Sequence, residues 1–422
     1  MDVNAIDRQA LATAAEWARA AYADFEAAGL KLDITRGKPS AEQLDLSEPM
    51  LTALQPGDHT ASGVDVRNYG PPAPGLTELR EIFAPLVGVP VDQLVARDNA
   101  SLSLMHQCVA MSFFHALPGG RDAWGGKPVK FLAPSPGYDR HFAVSVELGV
   151  ELITVPMTDD GPDMDAVEEL VRGDDSIKGM WCVPKYSNPT GATYSDETVR
   201  RLAAMETAAD DFRIYWDNAY AVHHLTDDHA ELADILEACA AAGNPDRAFV
   251  FASTSKVTFA GGGVSFFGSS PANVEWYLAR DLVRAIGPDK VNQLRHVRFF
   301  GDTAGVEAHM RKHAEIIAPK FEAVRNALVH DLGPLGIAEW TDPKGGYFVS
   351  LDLVPGTAKR VVELAKAVGV ALTPAGATYP YGNDPDDANL RIAPTLPPLG
   401  EVKRAMKVLT TCVILATVET LD

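Results

Sequence analysis

Phe249-Val250-Phe251-Ala252-Ser253-Thr254-Ser255-Lys256 is the stretch on which the reading of this chain turns. From Ala248 to Ala252 every residue is apolar and the run is rich in residues that favour extended backbone, which predicts a buried strand. It empties into small hydroxyl residues, then Lys256, then the turn Gly261-Gly262-Gly263. A lysine set just after a buried strand has poor access to water, and burial disfavours its charged form. The neutral amine left behind is nucleophilic enough to condense with a carbonyl carbon. The plainer account is a strand-ending lysine whose ammonium snorkels outward, and this stretch alone does not separate the two.

Outward from Lys256, short β-rich runs alternate with helical patterns between about 70 and 270. The runs are 129–133, 152–155, 179–183, 214–216, 249–252 and 264–267; the helical stretches lie near 76–87, 101–116, 163–172, 195–210 and 271–286. Such alternation demands crossover connections, hence an α/β fold with a mostly parallel sheet between helices. A long helical pattern follows from 303 to 331, where Pro319 predicts a kink or a break. After it come a strand over 347–353, a helix over 357–368, short strands near 370–373 and 390–393, and a final helix from about 398, a smaller α+β pattern. An amphipathic helix over 7–28, closed by Gly29, is expected to pack into that smaller unit. The expected domains are therefore 51–310, large, and 1–50 together with 311–422, small.

At 422 residues the chain is long enough for two domains. Its formal charge of −20 argues against nucleic acid or an anionic membrane as partner, since no basic patch offsets it. Cys108, Cys182, Cys239 and Cys412 lie far apart without metal-ligand spacing, which reads as free thiols in a reducing cytoplasm and no metal. Met1-Asp2-Val3-Asn4 lacks a basic region followed by an apolar one, so no secretory signal is expected, and the apolar run 408–418 is too short to cross a bilayer.

Ligands of open α/β sheets sit where strand carboxyl ends meet loops. Two such places hold Asn188-Pro189-Thr190-Gly191 after the 179–183 run, and Asp217 followed by Tyr220 after 214–216. Singly, a turn and a helix cap account for them. The ordered set Asn-Pro-Thr-Gly, then Asp-x-x-Tyr, then Ser-x-Ser-Lys is harder to explain that way.

With these motifs the chain resembles, over nearly its whole length, the class I and II aminotransferases of the fold-type I pyridoxal phosphate enzymes. Tyr69-x5-Gly75-x3-Leu79-Arg80, Gly345-Gly346-Tyr347-Phe348 and Leu390-Arg391-Ile392-Ala393 are similar to further segments of that family. Asp33-Ile34-Thr35-Arg36-Gly37-Lys38-Pro39-Ser40 and the triple glycine look most like the divergent branch of bacterial aspartate aminotransferases. The resemblance implies a large domain with a seven-stranded type of sheet, pyridoxal 5'-phosphate as cofactor, and a homodimer with shared active sites.

It also implies roles. Lys256 would anchor the cofactor and then carry a proton as the free amine. Asp217 would pair with the pyridine nitrogen, Asn188 and Tyr220 with the phenolic oxygen, and Tyr138 would stack on the ring. Ser253, Ser101 and Leu102 would hold the phosphate, the latter two at a helix start, with Tyr69 added from the neighbouring subunit. Arg391 would clamp the substrate carboxylate, with Asn188 beside it. The loop of Arg36 and Gly37 would border the substrate, and Arg36 would meet a distal carboxylate, with Lys38 and Arg140 as weaker candidates.

One departure stands out: the arginine that the family places after the lysine for the phosphate is replaced near Gly263 by glycine. The implied reaction is a ping-pong transfer of an amino group, with L-aspartate and 2-oxoglutarate favoured. Aromatic, alanine or aminoadipate specificity, or a carbon–sulfur β-lyase or decarboxylase on the same scaffold, are the alternatives.

Overall fold

The computed structural model describes residues 6–421. Its central sheet has the strand order 94–97, 265–268, 248–253, 213–217, 177–182, 130–135, 151–158, with the two-residue piece Gly161–Pro162 at the far edge. From 248–253 to 151–158 all pairings are parallel; 265–268 runs antiparallel to both of its neighbours. The inner strands are buried on both faces, which is why they read as near-continuous apolar runs, whereas 151–158, toward the edge, alternates.

Side chains on successive strand residues face opposite ways. Trp181, Tyr215, Phe249 and Phe251 therefore join the Ser101–Phe114 helix in one core, while Met180, Cys182, Ile214, Trp216 and Val250 join the other face. Four consecutive strands thus end at one rim, where Ser135, Cys182, Asp217 and Ser253 hand the chain to loops.

A separate core gathers both chain ends. The Arg8–Ala28 helix, capped by Asp7 Oδ1 and stopped by left-handed Gly29, packs on the Leu399–Leu421 helix. Leu32 and Asp33 pair in parallel with Val370 and Ala371, and a three-stranded antiparallel sheet of 338–340, 349–353 and 389–392 completes the unit. The apolar run 408–418 is explained by this burial, and among the described residues no helix is long and apolar enough to cross a membrane.

Of the kink or break expected at Pro319, the break does not occur: the Thr303–Asp331 helix runs through it without interruption. Proline forfeits one hydrogen bond, but both halves of this helix are pinned, Val306 and Met310 in the sheet core and Ile317, Phe321, Val324 and Leu328 in the other. The 195–210 pattern is a helix only over Asp196–Ala204, and the strand expected from 347 starts at Val349.

Candidate active site

Lys256 sits at the sheet rim in a turn that its neighbours hold rigidly. Thr254 donates from its N–H to the Val264 carbonyl at 2.8 Å and accepts from the Val264 N–H at its Oγ1 at 2.9 Å. The Lys256 Nζ lies 5.0 Å from the Tyr220 ring centroid and 6.0 Å from that of Tyr347. Burial pushes the amine below the usual lysine range, with the Asp217 carboxylate opposing.

A polar network that the sequence reading missed supports the turn from behind. Tyr347 Oη donates to the Lys256 carbonyl at 3.4 Å and accepts from Gln43 Nε2 at 2.9 Å. Gln43 Nε2 also meets His313 Nδ1 at 3.0 Å; His313 and His309 meet through their Nε2 atoms at 3.0 Å, and His309 Nε2 reaches the Val257 carbonyl at 2.8 Å. The four-residue spacing of His309 and His313 was the available signal, since it places both on one helix face.

Asp217 is buried, and its two oxygens differ. Oδ2 meets His141 Nε2 at 3.0 Å, and that imidazole stacks on Trp181 with centroids 4.5 Å apart. Oδ1 is buried with no partner among the described residues. An unpaired buried carboxylate oxygen is costly, so its retention fits a donor that arrives with a ligand, such as a protonated ring nitrogen. Tyr138 packs edge-on against His141 at 4.9 Å, and burial raises the Tyr138 and Tyr220 phenols, with Asp217 adding to both.

Arg391 reaches the same rim from the small antiparallel sheet. Its Nη1 donates to Asn188 Oδ1 at 3.3 Å and to Asp139 Oδ1 at 2.8 Å, and its guanidinium lies 4.9 Å over the Phe348 ring. Asp139, absent from the expected set, thus occupies the group expected to take a substrate carboxylate. Gly37 is required where it stands, because a Cβ there would come within 2.2 Å of Phe348 Cζ. Arg36, Lys38 and Arg140 are exposed, and none has a side-chain hydrogen bond or ion pair among the described residues.

Ser101 and Leu102 open the Ser101–Phe114 helix, whose cap residue Ala100 supplies no side-chain acceptor, so the first N–H groups stay free for an anion. Ser253 Oγ donates to Ser255 Oγ at 3.1 Å, which donates to the Asn99 carbonyl at 3.2 Å, joining the two segments. At Gly263 a Cβ would lie 3.1 Å from both the Asn99 carbonyl oxygen and Thr254 Oγ1, so the place where an arginine was expected is crowded by backbone. The cation beside it is Arg295, whose Nη2 donates to the Gly262 carbonyl at 3.1 Å. Tyr69 is not brought into this cluster: it is 81% exposed, on a loop whose Gly70 and Pro71 carbonyls accept from Lys290 Nζ.

Comparison with known proteins agrees with this geometry. The family model of aspartate amino-transferase matches residues 6–422. An aspartate aminotransferase of Corynebacterium glutamicum is 52% identical over 400 residues, covering 94% of this chain and 92% of that one. The crystal structure of an aspartate transaminase from the same species superposes with a TM-score of 0.95 at 50% identity, covering 99% of this chain and 98% of that one. An alpha-aminoadipate aminotransferase of Thermus thermophilus, at 22% identity and a TM-score of 0.73, shares the fold. A chain matched from end to end by that model, and half identical to such a relative, belongs to the aspartate aminotransferase family of fold-type I aminotransferases.

Proposed function

We propose that this aminotransferase works with pyridoxal 5'-phosphate and moves the amino group of L-aspartate to 2-oxoglutarate in a ping-pong cycle. The observation that carries the cofactor reading is the buried, unpartnered Oδ1 of Asp217 at the same rim as the Lys256 amine, which burial holds below the usual lysine range. Aspartate is favoured by the names of the relatives that share about half of their residues with this chain.

When bound, the cofactor supplies an electrophilic carbonyl carbon and a ring that takes up electrons. Lys256 would hold the cofactor through its amine and, as the free amine, would take the substrate Cα proton and return it. Asp217 keeps a proton on the ring nitrogen, and His141 holds the carboxylate in place through Oδ2. Asn188 and Tyr220 direct hydrogen bonds to the phenolic oxygen, while Tyr138 covers one ring face. The Ser101 and Leu102 N–H groups with Ser253 hold the phosphate. Arg391 binds the substrate α-carboxylate, Asn188 steadies the guanidinium, and Arg36 with Gly37 borders the side-chain end.

The exposed Tyr69, with Val283 and Ile286 also exposed, supports a homodimer in which Tyr69 serves the partner's phosphate. Four buried free cysteines support the cytoplasm. The change of core along the Thr303–Asp331 helix supports a division at 310/311, and with it domains 51–310 and 1–50 plus 311–422.

The test is kcat/KM for a panel of L-amino acids with 2-oxoglutarate, in the parent chain and in Arg36→Ala. Aspartate should lead in the parent and lose its margin over neutral amino acids in the variant. A parent that prefers an aromatic donor, alanine or aminoadipate contradicts the substrate assignment, and an unchanged margin contradicts the role of Arg36.

A further inference from the structure

On the sheet face opposite Asp217 lies a cavity of about 760 Å³ that the reaction does not use. It is walled by the 221–235 segment, the Thr303–Asp331 helix and the end of the Thr77–Val87 helix. Because strand side chains alternate, Asp217 faces the rim described above while Trp216 and Asn218 face this space. The volume falls within the roughly 300–1,000 Å³ of small-molecule sites.

Two buried polar side chains line it without partners. Lys185 is 8% exposed, and among the described residues its ammonium has no hydrogen bond or ion pair, only the Tyr186 ring at 5.6 Å. Asn218 is 6% exposed, and its Oδ1 is buried with no hydrogen-bond partner. Around them the wall is mixed: Val222, Leu225, Met310 and Ala314 give it an apolar stretch, and His224, His229, Asp234, Arg311 and Glu315 also line it. Asp227, Glu231 and Glu307 stand exposed at the mouth, where solvent and salt screen them.

We propose that this cavity is a second ligand site, for a small organic anion whose acidic group pairs with Lys185, whose hydrogen-bond donor meets Asn218 Oδ1, and whose apolar or aromatic body covers Val222, Leu225 and Met310. A buried amine and a buried carbonyl left without hydrogen-bond partners in one cavity are each costly alone, and one such ligand satisfies both. Burial lowers the Lys185 amine, with the Glu231 carboxylate opposing, and an anion beside it would raise it again. The site adjoins the catalytic rim through three shared segments: Lys185 lies three positions before Asn188, Asn218 follows Asp217, and the helix that presents Met310 and Ala314 presents His309 and His313 on its other side.

The test is titration of the full-length protein with anilinonaphthalenesulfonate, an aromatic anion with one amine donor, in saturating pyridoxal phosphate and maleate. Saturable binding of one probe per chain is expected, at least tenfold weaker in Lys185→Met and abolished in Ala314→Trp, which fills the chamber from the helix. Uncharged anilinonaphthalene should bind at least tenfold more weakly than the sulfonate. No saturable binding, binding unchanged in Ala314→Trp, or equal affinity for the uncharged compound would overturn the proposal. Ala314→Trp keeps the test valid should Lys185→Met fail to fold.

Discussion

Asp139→Asn should tighten the binding of a dicarboxylate. The Arg391 guanidinium, its side chain 8% exposed, gives Nη1 to Asp139 Oδ1 at 2.8 Å and to Asn188 Oδ1 at 3.3 Å. A carboxylate that takes Arg391 must therefore compete with one already there. A hydrogen bond to a charged group contributes roughly 1.5–3 kcal/mol, with a bond between two opposite charges at the upper end and one to a single charge at the lower. Asparagine keeps an acceptor near Arg391 but removes the charge, so the competitor weakens by about 1.4 kcal/mol, which is a tenfold gain for the incoming ligand. The assay is calorimetric titration of the cofactor-loaded protein with maleate. A Kd about tenfold lower is expected, with a melting temperature lower by a few degrees, because Asp139 is 36% exposed and the ion pair is only partly buried. A Kd that stays the same while the melting temperature falls would mean that the pair is purely structural and that Arg391 does not receive the substrate carboxylate.

Two further outcomes follow from the same geometry. Gly37→Ala drives a methyl to within 2.2 Å of Phe348 Cζ, and that ring backs Arg391, so stability should drop by roughly 1–3 kcal/mol and KM for the amino donor should rise; an unchanged KM in a steady-state assay would sever Gly37 from the substrate side. Acid should weaken the cofactor-free protein from the Lys256 turn outward. Buried His296, which contacts Thr254 and Thr258, is pushed down to about 4, and His313 to about 3, both mainly by burial. The unfolded chain binds protons at these rings below about 6.5 and the native chain does not. Stability is therefore complete above that pH and falls by roughly 2 kcal/mol per ring by pH 5. Denaturant titrations at pH 7 and 5 should show the loss, and His296→Gln should remove part of it; equal stability at the two pH values would refute the burial argument.

The parallel sheet was legible because burial on both faces forces apolar runs, and the rim residues Asn188, Asp217, Ser253 and Lys256 stood out because each follows such a run. Four helices escaped the sequence reading, Ala41–Asp45, Asp139–Glu147, Ile235–Ala241 and Lys290–Phe300: three are short, and the fourth is rich in polar residues although tertiary contacts bury its Leu294 and Phe300. The strand Leu94–Arg97, four residues long, was also passed over. The partners of the expected residues were hidden for a different reason. His141 meets Asp217 across 76 positions, Asp139 meets Arg391 across 252, and Gln43 meets Tyr347 across 304, and a single polar residue at such distance leaves no periodic trace. Pro319 misled because local preference predicts a break that packing at both ends of the helix overrides.

The central claim is that Lys256 and Asp217 form a pyridoxal phosphate site that accepts aspartate. Its most direct test is the absorption spectrum of the protein loaded with pyridoxal phosphate, beside that of Lys256→Ala, before and after adding L-aspartate alone. The account predicts a visible band in the parent that gives way to a shorter-wavelength band with aspartate and returns with 2-oxoglutarate, and a variant that shows no such cycle. A parent chain that never forms the band, or a Lys256→Ala protein that cycles as the parent does, would contradict it.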